Sequence, residues 1–209
     1  MGVLSEIFED PNIVYKVRRG LPHLFKIAEL ESSRSGKVGM EVGSLRERII
    51  VALLIYKYGE KNVETGIPIT ESETDVIVCR EPISIKTITN RNLSGIKVIW
   101  TVDAQKSILF QREYRPRCDL IIVQINWGGL GALYYIPLEA QNDVFQRIGR
   151  ESYILLPKAG TNPRGVEFSK DAMLELSNHT STRKIEIQWN IEKIEHNQYK
   201  QWLDYWKDI

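Results

Sequence analysis

Asp75, Ser84 and Lys86 stand within the run TDVIVCREPISIKTIT, residues 74–89. Side chains alternate between the two faces of a strand, so Ser84 and Lys86 in ISIK point one way while Ile83 and Ile85 point the other. If DVIVCR folds back antiparallel on PISIKTIT through a tight turn at REP, Asp75 comes beside Lys86 and a carboxylate meets an ammonium. That pairing suits metal-assisted hydrolysis of a phosphodiester. A carboxylate holds Mg²⁺, which polarises the phosphate and lowers the pKa of a bound water, and a nearby lysine orients that water or stabilises the developing charge. Lysine fits the task because its compact charge and adjustable pKa respond to a neighbouring cation.

One aspartate alone binds Mg²⁺ weakly, so a further carboxylate is expected. Glu47, near the start of an apolar helix, is the first candidate, with Glu41, Glu64, Glu71 and Glu73 as competitors. Each residue also has a plain structural reading. Asp75, after ESET, can be a turn residue, and Lys86 a solvated strand position. SLRE (44–47) matches a capping box, in which Ser44 caps a helix and Glu47 reaches back to the Ser44 amide.

The elements that must position these residues follow from pattern and punctuation. ESSRSGKVGMEVGS (31–44) reads as a loop between a first helical region and a second. SLRERIIVALLIYKYG carries an unbroken apolar run from Ile49 to Ile55, which predicts a helix buried on nearly every side and ended by Gly59. VETGIPIT, DVIVCR and PISIKTIT read as an antiparallel meander. CDLIIVQINW reads as a central strand, GGLG as a turn and ALYYIPL as the returning strand. EAQNDVFQRIG and SKDAMLELSNH read as helices, the second capped by Ser169. RKIEIQWNI alternates like a half-buried strand, and NQYKQWLDYWKDI reads as a helix that packs by its aromatic face. Together these imply an α/β fold, a single domain over residues 1–209, with one mixed central sheet flanked by helices.

Composition narrows the function classes. Of 209 residues 43% are apolar and 26% charged, as in ordinary globular proteins, and the net charge is only +1. A nucleic-acid partner must therefore be met by local clusters rather than by overall charge. Cys79 and Cys118 lie among strand-like apolar residues and read as reduced, partly buried thiols, which places the chain in the cytoplasm. No apolar run approaches the roughly 18 residues that span a bilayer, and the N-terminus lacks the order of a signal peptide, so no membrane partner is expected. His23, His179 and His196 are dispersed and show no ligand spacing.

An apolar helix carrying an early glutamate, followed by strands bearing Asp75 and then SIK, resembles the core of the PD-(D/E)XK nucleases, and specifically small type II restriction endonucleases. The wider run EVGSLRERIIVALLIYKYGEKNVETGIPITESETDVIVCREPISIKTIT, with YYIPLEAQ and TNPRGVEFS, resembles the ThaI-type group within them. The resemblance implies that Asp75 is the metal-binding aspartate and Lys86 the catalytic lysine. Ser84 departs from the pattern, standing where these nucleases usually carry Glu or Asp. A serine hydroxyl could still hydrogen-bond a metal-bound water, and Glu47 could supply the missing charge. The resemblance further implies a Mg²⁺ cofactor, a homodimer matching a palindromic double-stranded DNA site, and a GC-only target.

Residues for reading DNA are sought in loops. TNPRG (161–165) presents Asn162 and Arg164, able to fork onto adenine and guanine or to hold phosphates; the alternative is a structural turn. QREYRPR (111–117) brings Arg112, Arg115 and Arg117 near one another as a phosphate track or a solvated face. Arg91 and Asn92 follow the catalytic strand directly, within reach of the backbone beside the cut. Met40, in KVGMEVG, is an unbranched apolar side chain between glycines, suited to wedging into a base step or to filling a core. The expected function is type II endonucleolytic cleavage. The alternatives are a structure-specific or repair nuclease of the same fold and a DNA-binding module that has lost catalysis.

Overall fold

The computed structural model describes residues 2–34, 37–39, 41–68, 73–99, 101, 103–157 and 165–208. Helix α1 (Ser5–Glu9) leads into α2 (Pro11–Glu31), where the Asp10 carboxylate accepts from the Asn12 and Ile13 amides and Pro11 occupies a first-turn position that needs no donor. A short hairpin, β1 (Ser33–Arg34) with β2 (Lys37–Val38), delivers the chain to α3 (Val42–Tyr58), which ends at Gly59 with φ 82°. α3 begins earlier than the SLRE pattern implies. Glu41 occupies the N-cap with no side-chain cap, and Ser44 lies inside the first turn, so the capping box does not form and Glu47 is released from that role. Nor is α3 buried on nearly every side. Arg46, Ile50 and Leu54 form one buried stripe, while Ala52 and Tyr56 are exposed. The reason is layering: α3 packs on α2 and on one edge of the sheet, which leaves its third face outward.

The meander forms as expected, from β3 (Val63–Glu64), β4 (Val76–Val78) and β5 (Glu81–Thr89), all antiparallel. Its tight turn falls at Cys79 and Arg80 rather than at REP. Both residues have positive φ, 51° and 74°, the two-residue loop whose twist matches the flanking strands. That position leaves Cys79 exposed, contrary to the expectation of a partly buried thiol; Cys118 is buried, and both are free. Next come β6 (Lys97–Ile99), α4 (Ala104–Glu113), the central β7 (Asp119–Ile125) and its return β8 (Leu130–Ile136). The chain continues through α5 (Leu138–Ile148), α6 (Arg150–Tyr153), β9 (Ile154–Leu155), β10 (Val166–Phe168), α7 (Lys170–Asn178), β11 (Arg183–Gln188) and α8 (Lys200–Lys207). Ser169 caps α7 by accepting from the Ala172 amide.

The main sheet runs β11-β8-β7-β5-β4-β3, with β5 and β7 parallel and every other neighbour antiparallel. It is a mixed sheet with helices on both faces. Period-two alternation divides its side chains between two cores. Ile83, Ile85, Ile121, Val123 and Ile125 face α1, α2 and α3, while Leu120, Ile122, Tyr134 and Ile136 face α5, α7 and a second small sheet of β6, β10 and β9. That small sheet and α4 are additions to the sequence reading, although Asp103, which accepts from the Gln105 and Lys106 amides, marks the start of α4. α8 departs further. Its Trp202, Leu203, Tyr205 and Trp206 are exposed, Trp206 by 77%, because both faces of the sheet are already covered when the chain reaches it. Among the described residues no helix is long and apolar enough to cross a membrane.

The Cys79–Arg80 turn yields a stability prediction. Non-glycine residues in the left-handed region cost roughly 1–2 kcal/mol each, so replacing the pair by Asn-Gly should stabilise the fold by about 1 kcal/mol after the added unfolded-state freedom of glycine. Urea unfolding should show a higher midpoint at unchanged slope; a lower midpoint would contradict the turn geometry.

Candidate active site

β4 is shorter than β5, and that mismatch builds the site. The β4–β5 ladder covers Glu81 to Ile83, so from Ser84 onward β5 is laddered on one side only, to β7. Asp75, immediately before β4, donates its amide to the Ile83 carbonyl at 2.9 Å. Its carboxylate then takes the place of the missing strand. Oδ2 accepts the Ile85 amide at 2.6 Å, the Ser84 hydroxyl at 3.2 Å and the Lys86 ammonium at 3.4 Å. The acid and the amine thus meet on one side of the sheet, each side chain about one-fifth exposed. Ser84 is buried and donates to Asp75, so it acts as an orienting donor where the resemblance would place a third acid. A carboxylate there would face the Asp75 carboxylate with like charge.

Glu47 lines the same cleft, about 790 Å³ in volume, with Asp75 and Lys86 on one wall and Gly95 to Ile99 on the other. Its carboxyl is pushed above the usual glutamate range, first by burial and then by the Asp75 charge, with Lys86 and Arg48 opposing. Mg²⁺ is commonly held by one or two carboxylates plus water and substrate phosphate, so Asp75 with Glu47 is a donor set of the right chemistry and number. Among the described residues no group of three or more His, Cys, Asp or Glu side chains gathers as a metal cage. Of the competing acids, Glu41 sits at the α3 N-cap, Glu64 is exposed on β3, and Glu71 lies outside the described residues. Glu73 comes nearer: with Ser84, Lys86 and Arg117 it lines a small space behind the lysine, and burial pushes its carboxyl up while Arg117 and Lys86 oppose. Burial likewise pushes the Cys118 thiol up to about 12, leaving it neutral.

Arg91 and Asn92 are exposed on the loop after β5, which Gln124 secures by donating to the Arg91 carbonyl at 2.8 Å. Arg115 and Arg117 are exposed after α4. The three arginines of QREYRPR do not share one surface, since Arg112, in the last turn of α4, lines a separate groove with Gly149 and Arg150. Met40, Asn162 and Arg164 lie outside the described residues. Lys97, on the wall facing Lys86, was not singled out from the sequence; it is ion-paired with Glu167, a partnership joining β6 to β10 that no local pattern reveals.

Comparison with known proteins supplies an independent line. The family model for restriction endonuclease ThaI matches residues 7–208. A solved structure described as a restriction endonuclease in complex with substrate DNA is 55% identical, covers 99% of this chain and 100% of its own, and superposes with a TM-score of 0.93. The comparison with curated proteins found no match.

The raised carboxyl of Glu47 has a consequence for stability. In the unfolded chain Glu47 titrates near its ordinary 4.5, whereas the folded state holds the proton to higher pH. Its charge therefore costs stability as pH rises above that value and costs none below it. Glu47→Gln should unfold at a higher temperature than the parent at pH 8 without divalent cations, and the difference should vanish below about pH 4. A difference independent of pH would refute the raised carboxyl.

Proposed function

This chain belongs to the family of restriction endonuclease ThaI, and we propose that it cuts both strands of a short palindromic DNA site in a Mg²⁺-dependent reaction centred on Asp75, Lys86 and Glu47. The observation that carries this reading is the convergence of the Ile85 amide, the Ser84 hydroxyl and the Lys86 ammonium on one oxygen of Asp75, in a cleft that Glu47 also lines. The other oxygen accepts no hydrogen bond among the described residues, which leaves it to the cleft. Mg²⁺ held by Asp75 and Glu47 would supply charge neutralisation at the phosphate and acidify the attacking water. The chain itself does the rest. Ile85 and Ser84 keep Asp75 from rotating, and Lys86, already placed beside it, offers an N–H to the charge that develops on the phosphate. Ser84 supports an intact site rather than a decayed one, because its hydroxyl is built into the fixation of Asp75.

Sequence discrimination falls to side chains around this cleft. Arg91, Asn92, Arg115 and Arg117 are exposed and suited to phosphates. For base contacts we retain Asn162 and Arg164 as forked donors and Met40 as a wedge, with a GC-only target. The similar solved enzyme, described in complex with substrate DNA, supports a duplex partner. A homodimer matches one catalytic centre per chain to each strand of a palindrome. Apolar surface for a second copy exists on the α2–α3 face, with Leu24, Leu53 and Tyr56, and on α8, with Trp202 and Trp206. The free thiols suit the cytoplasm.

Purified protein incubated with plasmid DNA and Mg²⁺ should give discrete fragments on a gel. A smear or cutting confined to forks would indicate a structure-specific nuclease, and a mobility shift without cleavage a binding module. Asp75→Ala and Lys86→Ala should each slow cutting by at least about a hundredfold while retaining the circular dichroism of the parent. Normal cutting by either variant would remove that residue from the mechanism.

A further inference from the structure

Glu47 makes no hydrogen bond or ion pair among the described residues, so nothing at its own carboxylate fixes where it stands. Its position is inherited from the start of α3, whose N-cap makes no side-chain bond. What holds that end of the helix is the residue before Glu47. Arg46 is 6% exposed, and its guanidinium reaches both α2 and β5. Nη2 donates to Glu29 Oε1 on α2 at 2.6 Å, Nη1 donates to Thr89 Oγ1 at the end of β5 at 3.1 Å, and Cζ lies 5.7 Å from the centre of the Phe25 ring. Glu29 Oε1 also accepts the Trp127 indole N–H at 2.7 Å from the turn between β7 and β8, and Lys26 stands 3.6 Å from its second oxygen.

Thr89 lies on the same strand as Lys86 and Asp75 is bonded to that strand, so this fork ties the turn bearing Glu47 to the segment bearing the other two site residues. A buried ion pair is a poor means of adding stability, since apolar residues of similar volume are often as stable or more so. What a fork supplies instead is one fixed geometry between rigid elements. We propose that Arg46 and Glu29 are positioning residues that set Glu47 against Asp75 and thereby determine the divalent-cation affinity of the site. This rests on the reading of Glu47 as a cation ligand.

Four variants test it: Arg46→Lys, Glu29→Gln, the apolar double variant Arg46→Met with Glu29→Leu, and Glu47→Gln as reference. Ca²⁺ binding to the protein–DNA complex is measured by calorimetry, the Mg²⁺ concentration for half-maximal cleavage at saturating DNA by gel, and the unfolding temperature without cations. Loss of an outer partner of a metal site typically weakens metal binding about 10–100-fold, and that is the expected effect of the first three variants on Ca²⁺ affinity and Mg²⁺ requirement. Cleavage at high Mg²⁺ should approach the parent rate, and the double variant should unfold no lower than the parent. If Ca²⁺ affinity falls only in variants whose unfolding temperature also falls, or if Glu29→Gln binds Ca²⁺ as the parent does, the pair merely holds the fold and the proposal is overturned. A Glu47→Gln variant with parental Ca²⁺ affinity would instead overturn the ligand reading, and this inference with it.

Discussion

The hydrogen bond from the Ile85 amide to the Asp75 carboxylate is the constraint on which the site depends. A strand's outward amides must be satisfied by a neighbouring strand, by water or by a side chain. β4 ends its ladder before β5 does, and Asp75 supplies the missing acceptor at 2.6 Å. One short strand therefore has two effects. It leaves the outer edge of β5 open as a cleft, and it converts an aspartate that lines that cleft into a backbone cap. Ser84 and Lys86, on the same side of β5, fall beside the acid through strand geometry alone.

The layers around the sheet determine what else reaches the cleft. α3 lies over β5 with Ile50 and Leu54 in the core, which carries Glu47 to the mouth of the same cavity. On the far side the small sheet brings Lys97 and Gly95 opposite, so the cleft has one wall from each of two sheets. A net charge of +1 gives no long-range attraction to a polyanion. Any affinity for one must then come from focused contacts, and the arginines at 91, 115 and 117 are exposed.

Charge is deployed in the interior with similar economy. Two carboxylates, Asp75 and Glu47, line a cleft together with Lys86, which stands beside Asp75, and Lys97, which is ion-paired with Glu167. Next to Glu47 in the chain, the buried Arg46 pairs with Glu29, while Thr89 accepts a second guanidinium N–H and the Trp127 indole donates to Glu29.

Much of this was legible in consecutive residues. The alternation of Ile83 and Ile85 against Ser84 and Lys86, the apolar density of β7 and β8, and the Ser169 cap are properties of neighbours in the chain, and steric alternation and local hydrogen bonding enforce them wherever the segment sits. The resemblance of the chain to the ThaI-type restriction endonucleases was legible for the same reason. Other features had to wait for the tertiary structure. Whether Glu47 caps a helix or faces a cleft was decided when α3 started at Val42; whether an apolar helix is buried all round, or the aromatic face of α8 covered at all, was decided by which neighbours were already in place. Glu29 and Arg46 stand seventeen residues apart, and Thr89 and Trp127 are farther still. Their meeting depends on the packing of distant segments, and burial, unlike alternation, belongs to the assembled layers rather than to any one stretch of chain.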